Sequence, residues 1–234
     1  MGLPPNPLKA VFPIVSVYQG PEPTYDFLGT GFYIDSDGLF LTAKHVCQVP
    51  ENEYSAVMLG LSGSEPVPYR ISHLKYSENF DIALGQVEGV EDIQPLKIAS
   101  ENAPVNYDVV TAEFSGTCTQ RIEGGRIAVF FHPYFRKGNV VCLRPSTFPE
   151  SVPTSCQELS FPALKGASGA PVIVEQTGLV IGMIVGNITQ ELLPAQIESF
   201  TNGEKYTEEV KYVLPSAKAI SWRHLAEFVK LSTK

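Results

Sequence analysis

Cysteine is scarce in this chain: four residues in 234, at positions 47, 118, 142 and 156. So few exclude a disulfide framework as the source of stability. A pairing of Cys118 with Cys142 across strands stays open, but buried free thiols in a reducing compartment are the expectation. Long apolar runs are missing too. No stretch approaches the ~20 apolar residues that a membrane-spanning helix needs. The segment from Met1 to Pro13 has only Lys9 as a charge, several prolines and no apolar h-region, so a secretory signal is not expected there. Met1-Gly2 is similar to a myristoylation start, yet Asn6 stands where Ser or Thr is required. The expected location is the cytoplasm, with no membrane partner. Positive charge is in deficit: 17 Lys and Arg against 25 Asp and Glu leave a formal charge of −8. A nucleic-acid surface needs clustered positive charge, so nucleic acid is excluded as a partner class. The chain has no repeat and no low-complexity tract.

What is present is 44% hydrophobic residues, broken by 19 glycines and 19 prolines. Apolar runs of strand length alternate with turn residues, the spacing of an all-β fold. Strands are expected at Ala10–Tyr18, Gly29–Ile34, Leu39–Ala43, Ala56–Leu61 and Ile82–Val87. A polar connection over 100–107 separates them from candidates at Asp108–Phe114, Arg126–Phe131, Val140–Leu143, Ala170–Glu175, Val180–Val185 and Glu209–Leu214. This gives a first lobe over 9–99 and a second over 108–215. After Ser216, a plausible N-cap, Ile220, Leu225, Phe228 and Val229 fall near helical spacing, so a helix is expected over 216–231.

Gly166-Ala167-Ser168-Gly169-Ala170-Pro171 sets one hydroxyl among residues with almost no side chain. Most such strings are turns before a strand, where glycine supplies positive φ. The other reading is that backbone N–H groups must come close to a carbonyl oxygen, as in an oxyanion hole. Thr42-Ala43-Lys44-His45-Val46 ends an apolar strand on a histidine, and Asn79-Phe80-Asp81-Ile82-Ala83-Leu84 puts an acid at the mouth of another. Alone, such a histidine is more often structural and such an Asp usually forms a turn. What matters is the order His45, Asp81, Ser168, each in a distinctive context. His73, His132 and His224 lack one and read as surface or structural.

That set resembles the trypsin-like (chymotrypsin-fold) serine peptidases, in particular the Deg/HtrA-type protease core. TAKHV matches the family's T-A-x-H segment, DIAL its D-I-A-L segment and GASGAP its G-x-S-G-x-P segment, in chymotrypsin order. Tyr212-Val213-Leu214-Pro215-Ser216 resembles the last strand of the Deg/HtrA core. The resemblance implies two six-stranded antiparallel β-barrels with the active site between them, followed by a C-terminal α-helix. It implies a serine endopeptidase with Ser168 as nucleophile, His45 as general base and acid, and Asp81 as the orienting carboxylate. The N–H groups of Gly166 and Ser168 would form the oxyanion hole. No metal and no cofactor are implied. The partner is a protein or peptide substrate, and the family's habits add a regulatory partner or a fused sensing module. No segment resembles a PDZ domain or an ATPase.

Departures from the family pattern are informative. Ala167 stands where digestive members carry an Asp that pairs with a newly released N-terminal amine, so no activation by N-terminal clipping is expected. Cys47 has no partner in the strand before it. By resemblance, Pro162 lies at the base of the substrate pocket, Val185, Gly186 and Asn187 form one wall, and Val210 forms the opposite wall. With no carboxylate among them, small or medium aliphatic side chains are expected before the scissile bond. Two other classes stay open: a pseudoprotease serving as a peptide-binding or scaffold module, and an acyl hydrolase. The latter's GxSxG elbow is not matched by Gly166 to Ala170.

Overall fold

The computed structural model of the chain describes residues 7–18, 24–48, 53–58, 66–101, 103–121, 127–147, 153–191, 195–201, 204–210 and 213–233. Of the sequence expectations, the Leu3-Pro4-Pro5 lead, Leu59–Leu61, Arg126 and Lys211-Tyr212 lie outside the described residues.

Residues rich in Val, Ile, Phe and Tyr favour the half-buried pleated surface of a sheet. They form β1 (Val11–Tyr18), β2 (Thr24–Tyr33), β3 (Leu39–Thr42), β4 (Glu53–Met58), β5 (Val67–Tyr76) and β6 (Ala83–Val87). These strands pair in the order β1-β2-β3-β6-β5-β4 and close into a barrel. Closure removes the exposed edges that an open sheet would present. The turn from β2 to β3 is held by Asp35, whose carboxylate accepts the N–H groups of Asp37 and Leu39 at 2.9 and 2.8 Å. Rings fill the interior: Phe12 packs on Tyr33 and Phe40 with centroids 4.4 and 5.3 Å apart. β5 was not among the expected strands. Its alternation is broken at His73, which sits at φ 51 in a register shift.

The rest of the chain forms β7 (Asp108–Glu113), β8 (Cys118–Arg121), β9 (Ile127–Phe130), β10 (Tyr134–Thr147) and β11 (Pro153–Leu159). β12 (Pro171–Val174), β13 (Val180–Glu191), β14 (Ala195–Thr201), β15 (Glu204–Val210) and β16 (Val213–Ser221) follow. A second closed barrel runs β10-β11-β16-β13-β12-β7. Its core uses smaller side chains, among them Val109, Val140, Val172, Ile184, Ala217 and Ala219. β11 escaped the sequence reading because it is polar. Its Glu158 is nevertheless buried, paired with Arg144 Nε at 2.7 Å and accepting from Gln190 Nε2 at 2.5 Å. A buried charge persists only with such partners. β8–β9 and β14–β15 are separate two-stranded hairpins. The second prolongs the β13–β16 pair: Glu191 faces Val213, then Ala195 faces Val210, out to Thr201 facing Glu204. Phe200 and Tyr206 on this arm are exposed.

The helix begins later than the sequence suggested. α1 covers Trp222–Ser232 with Ser221 at its N-cap, and Ser216 to Ser221 belong to β16. Ala217 to Ile220 pair with β11 on one side and β13 on the other. All of Ser216 to Ser221 except the half-buried Lys218 are buried, so pairing on both sides overrides the helical spacing. α1 also reaches back to the first barrel. The His224 ring packs on Phe80 at 4.3 Å, and Lys75 donates to the carbonyl of Ser232 at 2.5 Å.

Candidate active site

Register brings the first two site residues together. β3 and β6 are neighbours with Thr42 facing Ala83, so the residues just past β3 meet those just before β6. His45 lies on the short 3-10 turn Lys44–Cys47 that follows β3. Asp81 ends a loop held by the Phe80 N–H donating to Ser77 Oγ at 3.2 Å and by Lys44 Nζ donating to the Ser77 carbonyl at 2.9 Å. The Asp81 carboxylate then grips His45 twice. Oδ1 accepts the backbone N–H of His45 at 2.9 Å, and Oδ2 bonds its ring Nδ1 at 2.6 Å. The Asp81 side chain is 5% exposed and that of His45 is 48% exposed. A carboxylate only accepts, so Nδ1 is the donor in this bond, the tautomer in which a neutral imidazole keeps its lone pair on Nε2.

Ser168 arrives from the second barrel, on the loop between β11 and β12. Gly166 and Gly169 take φ of 97 and 87, the left-handed region. A Cβ on Gly166 would strike the Phe27 ring, and one on Gly169 would strike the Thr30 carbonyl and the Thr42 hydroxyl. Thr30 of β2 ties the loop to the first barrel. Its N–H donates to the Ser168 carbonyl at 2.9 Å and its hydroxyl to the Gly166 carbonyl at 2.8 Å. Its own carbonyl accepts from Thr42 Oγ1 at 2.7 Å. The Ser168 carbonyl and the Val46 side chain both crowd the place a Cβ would take on Gly29, so the serine loop sits against the turn that carries His45.

Backbone donors on this loop alternate in a telling way. The N–H groups of Ala167 and Gly169 donate to Leu164 and Ile184 at 3.0 and 2.8 Å. Among the described residues, the N–H groups of Gly166 and Ser168 have no protein acceptor. Ala167 is fully buried, in a place that would not tolerate an unpaired charge.

The pocket residues separate into two groups. Ile184 N–H donates to Ala170 at 2.9 Å, and beyond it Val185, Gly186 and Asn187 run past the serine loop. Pro162 lies on the facing segment, whose next residue, Ala163, is bonded to the Asn187 amide. Val210 does not join them. It ends β15 and faces Ala195 on the arm, whereas the β16 residues opposite Gly186 and Asn187 are Lys218 and Ala217. Counting back from Tyr212 treated two strands as one.

The remaining candidates settle as follows. Among the described residues no disulfide forms, so Cys118 and Cys142 do not pair. Cys47 and Cys156 are buried as expected, but Cys118 on the β8–β9 hairpin is exposed. Burial pushes the Cys47 thiol up to about 12. His73 and His132 are exposed, and His224 on α1 accepts the Ser155 N–H at 3.3 Å. Thr30, the clasp between the barrels, was not singled out in the sequence. The signal was there: Gly29-Thr30-Gly31 has the same poverty of side chains as the serine loop.

The trypsin-like peptidase domain model matches residues 29–183, a span that includes positions 45, 81 and 168. The chain belongs to this family. This trypsin-like peptidase is a serine endopeptidase by class, and its fold has solved counterparts. Rv3671c from M. tuberculosis H37Rv, in an inactive serine-to-alanine form, superposes with a TM-score of 0.57 at 18% identity, over 97% of this chain and 87% of that one. The HtrA-type protease AlgW, solved with a decapeptide, gives 0.61 at 11% identity, over 97% of this chain and 65% of that one. At such identities the likeness carries the two-barrel fold. No curated protein matches the trypsin-like peptidase described here.

Proposed function

We propose that the chain hydrolyses peptide bonds through Ser168, His45 and Asp81. The hydroxyl of Ser168 attacks the scissile carbonyl while His45 Nε2 takes its proton. Asp81 holds the proton on Nδ1 and stabilises the imidazolium that forms. The carbonyl oxygen becomes an oxyanion received by the N–H groups of Gly166 and Ser168. Collapse of this intermediate expels the amine, which leaves with the proton from His45. Water, activated by the same imidazole, then releases the acyl group from Ser168.

The observation that carries this reading is the double grip of Asp81 on His45, at 2.9 and 2.6 Å. A turn-forming Asp needs no imidazole, and a packing histidine is not aimed by its own backbone. The unbonded N–H groups of Gly166 and Ser168 favour turnover over a peptide-binding scaffold. β13 supports an extended substrate. Its pairing with β12 ends at Met183, while that with β16 runs on to Glu191, so the later part offers an edge to an added strand. The decapeptide carried by AlgW is in keeping with this. Pro162, Val185, Gly186 and Asn187, none of them charged, support small or medium aliphatic residues before the cleaved bond. The test is labelling by a fluorophosphonate probe. Adduct formation on Ser168 that disappears in Ser168→Ala and His45→Ala supports the reading; a wild-type protein that does not label overturns it.

A further inference from the structure

We propose that the Asn187 side chain is a bar across the substrate pocket, admitting glycine- and alanine-sized side chains before the scissile bond and turning away leucine, phenylalanine and larger. This rests on Ser168 being the nucleophile, and it narrows the specificity of that same site.

Two segments diverge from Ser168: residues 162–166 of its own loop, and residues 185–187 of β13. Their near ends are joined where Gly169 N–H donates to Ile184 at 2.8 Å and Ile184 N–H donates to Ala170 at 2.9 Å. The loop segment is anchored to the barrel where Ala217 N–H donates to the Phe161 carbonyl at 2.7 Å. A peptide whose carbonyl oxygen lies against the N–H groups of Gly166 and Ser168 sends its side chain into the gap between the two segments. At Asn187 that gap is spanned. Asn187 Oδ1 accepts the Ala163 N–H at 2.7 Å, and Asn187 Nδ2 donates to the Ala163 carbonyl at 2.8 Å.

Both ends of the amide are therefore satisfied by the backbone of the facing wall. Asn187 is exposed, so the packed core does not impose this conformation. A long substrate side chain must break both bonds and leave the Ala163 N–H and carbonyl without partners under a desolvating ligand, whereas a methyl group stops short of them. Size selection by a pocket floor of this kind typically reaches about 10- to 200-fold per carbon-scale step.

The experiment uses peptidyl diphenyl phosphonates that differ only in carrying alanine, valine, leucine or phenylalanine beside the phosphorus, with the small fluorophosphonate as a report on the catalytic centre. The full chain should react with the alanine reagent at least about tenfold faster than with the phenylalanine one. In Asn187→Ser and Asn187→Ala that preference should fall or reverse by a similar factor. Equal rates for alanine and phenylalanine in the wild-type protein overturn the bar. So does an unchanged ratio in either variant that still labels with the fluorophosphonate. Failure of the wild-type protein to label with the fluorophosphonate strikes the reading of Ser168 and the bar with it. Normal labelling with no size preference strikes the bar alone.

Discussion

The two halves of the site are built by opposite means. The half from the first barrel is held by side chains: Asp81 on His45, Lys44 on Ser77, Thr42 on Thr30. The half from the second barrel is held by main chain and by empty space, with positive φ at Gly166 and Gly169 and a run of backbone hydrogen bonds around Ser168. The cores differ in the same sense. Large rings of Phe12, Tyr33 and Phe40 fill the first, and small aliphatic side chains fill most of the second. The contrast follows the chemistry. A base must be oriented, which takes a directional bond to a carboxylate. An oxyanion must be met by two N–H groups, which takes a backbone that no side chain obstructs.

If this division is right, the first half should be sensitive to chemical identity and the second to volume. The largest effects belong to the groups proposed to react. Ser168→Ala and His45→Ala should each lower kcat by about 10⁶, and Asp81→Asn by about 10⁴ through the wrong tautomer. Peptide hydrolysis measures all three, and a Asp81→Asn protein with near-normal kcat would end the side-chain account of that half. Next comes Gly169→Ala. Its methyl group meets the Thr30 carbonyl at a φ that alanine rarely adopts, so urea unfolding should show a loss of about 2–5 kcal/mol although the change adds one carbon.

Thr30→Val probes the clasp between the halves. It keeps the shape but leaves the Gly166 carbonyl without its hydroxyl donor, a cost of about 1–3 kcal/mol in a buried place. We expect kcat to fall about tenfold with KM little changed, and Thr30→Ser to restore it. A fall in KM-dependent terms alone would assign Thr30 to substrate binding.

The smallest effect concerns His224, far from both halves in role. Burial lowers its pKa from the ordinary value, opposed by Glu227 and assisted by Arg223. A histidine whose folded pKa is depressed stays neutral in the fold, while the unfolded chain takes up the proton near pH 6.5. Its contribution is therefore complete above about pH 6.5 and declines as the pH falls below that toward the folded pKa. Replacing it with Gln should flatten the melting temperature over that acidic window. A slope identical to that of the wild type would remove His224 from the account.

Much of this was legible in the chain. Most first-barrel strands were marked by apolar runs, and His45, Asp81 and Ser168, the residues proposed to react, stood out by their contexts. β5 and β11 were not, because a bulge at His73 and the buried Glu158 disrupt the alternation on which such reading depends. Residues 216–221 were misread as helix, since the helical spacing of Leu225, Phe228 and Val229 was carried back to Ile220, in a segment that two neighbouring strands claim. Val210 was misplaced for a related reason, as nothing local marks where the arm ends and β16 begins.

The amino-acid order alone settled which chemistry was available: an alcohol among glycines, an imidazole after a strand, an acid before another. Those are properties of residue type and short-range spacing. Only the folded barrels decided that Thr30 would clasp the serine loop and that the Asn187 amide would close on Ala163. Both contacts join segments far apart in the chain, and such pairings depend on register and closure, which no local pattern encodes.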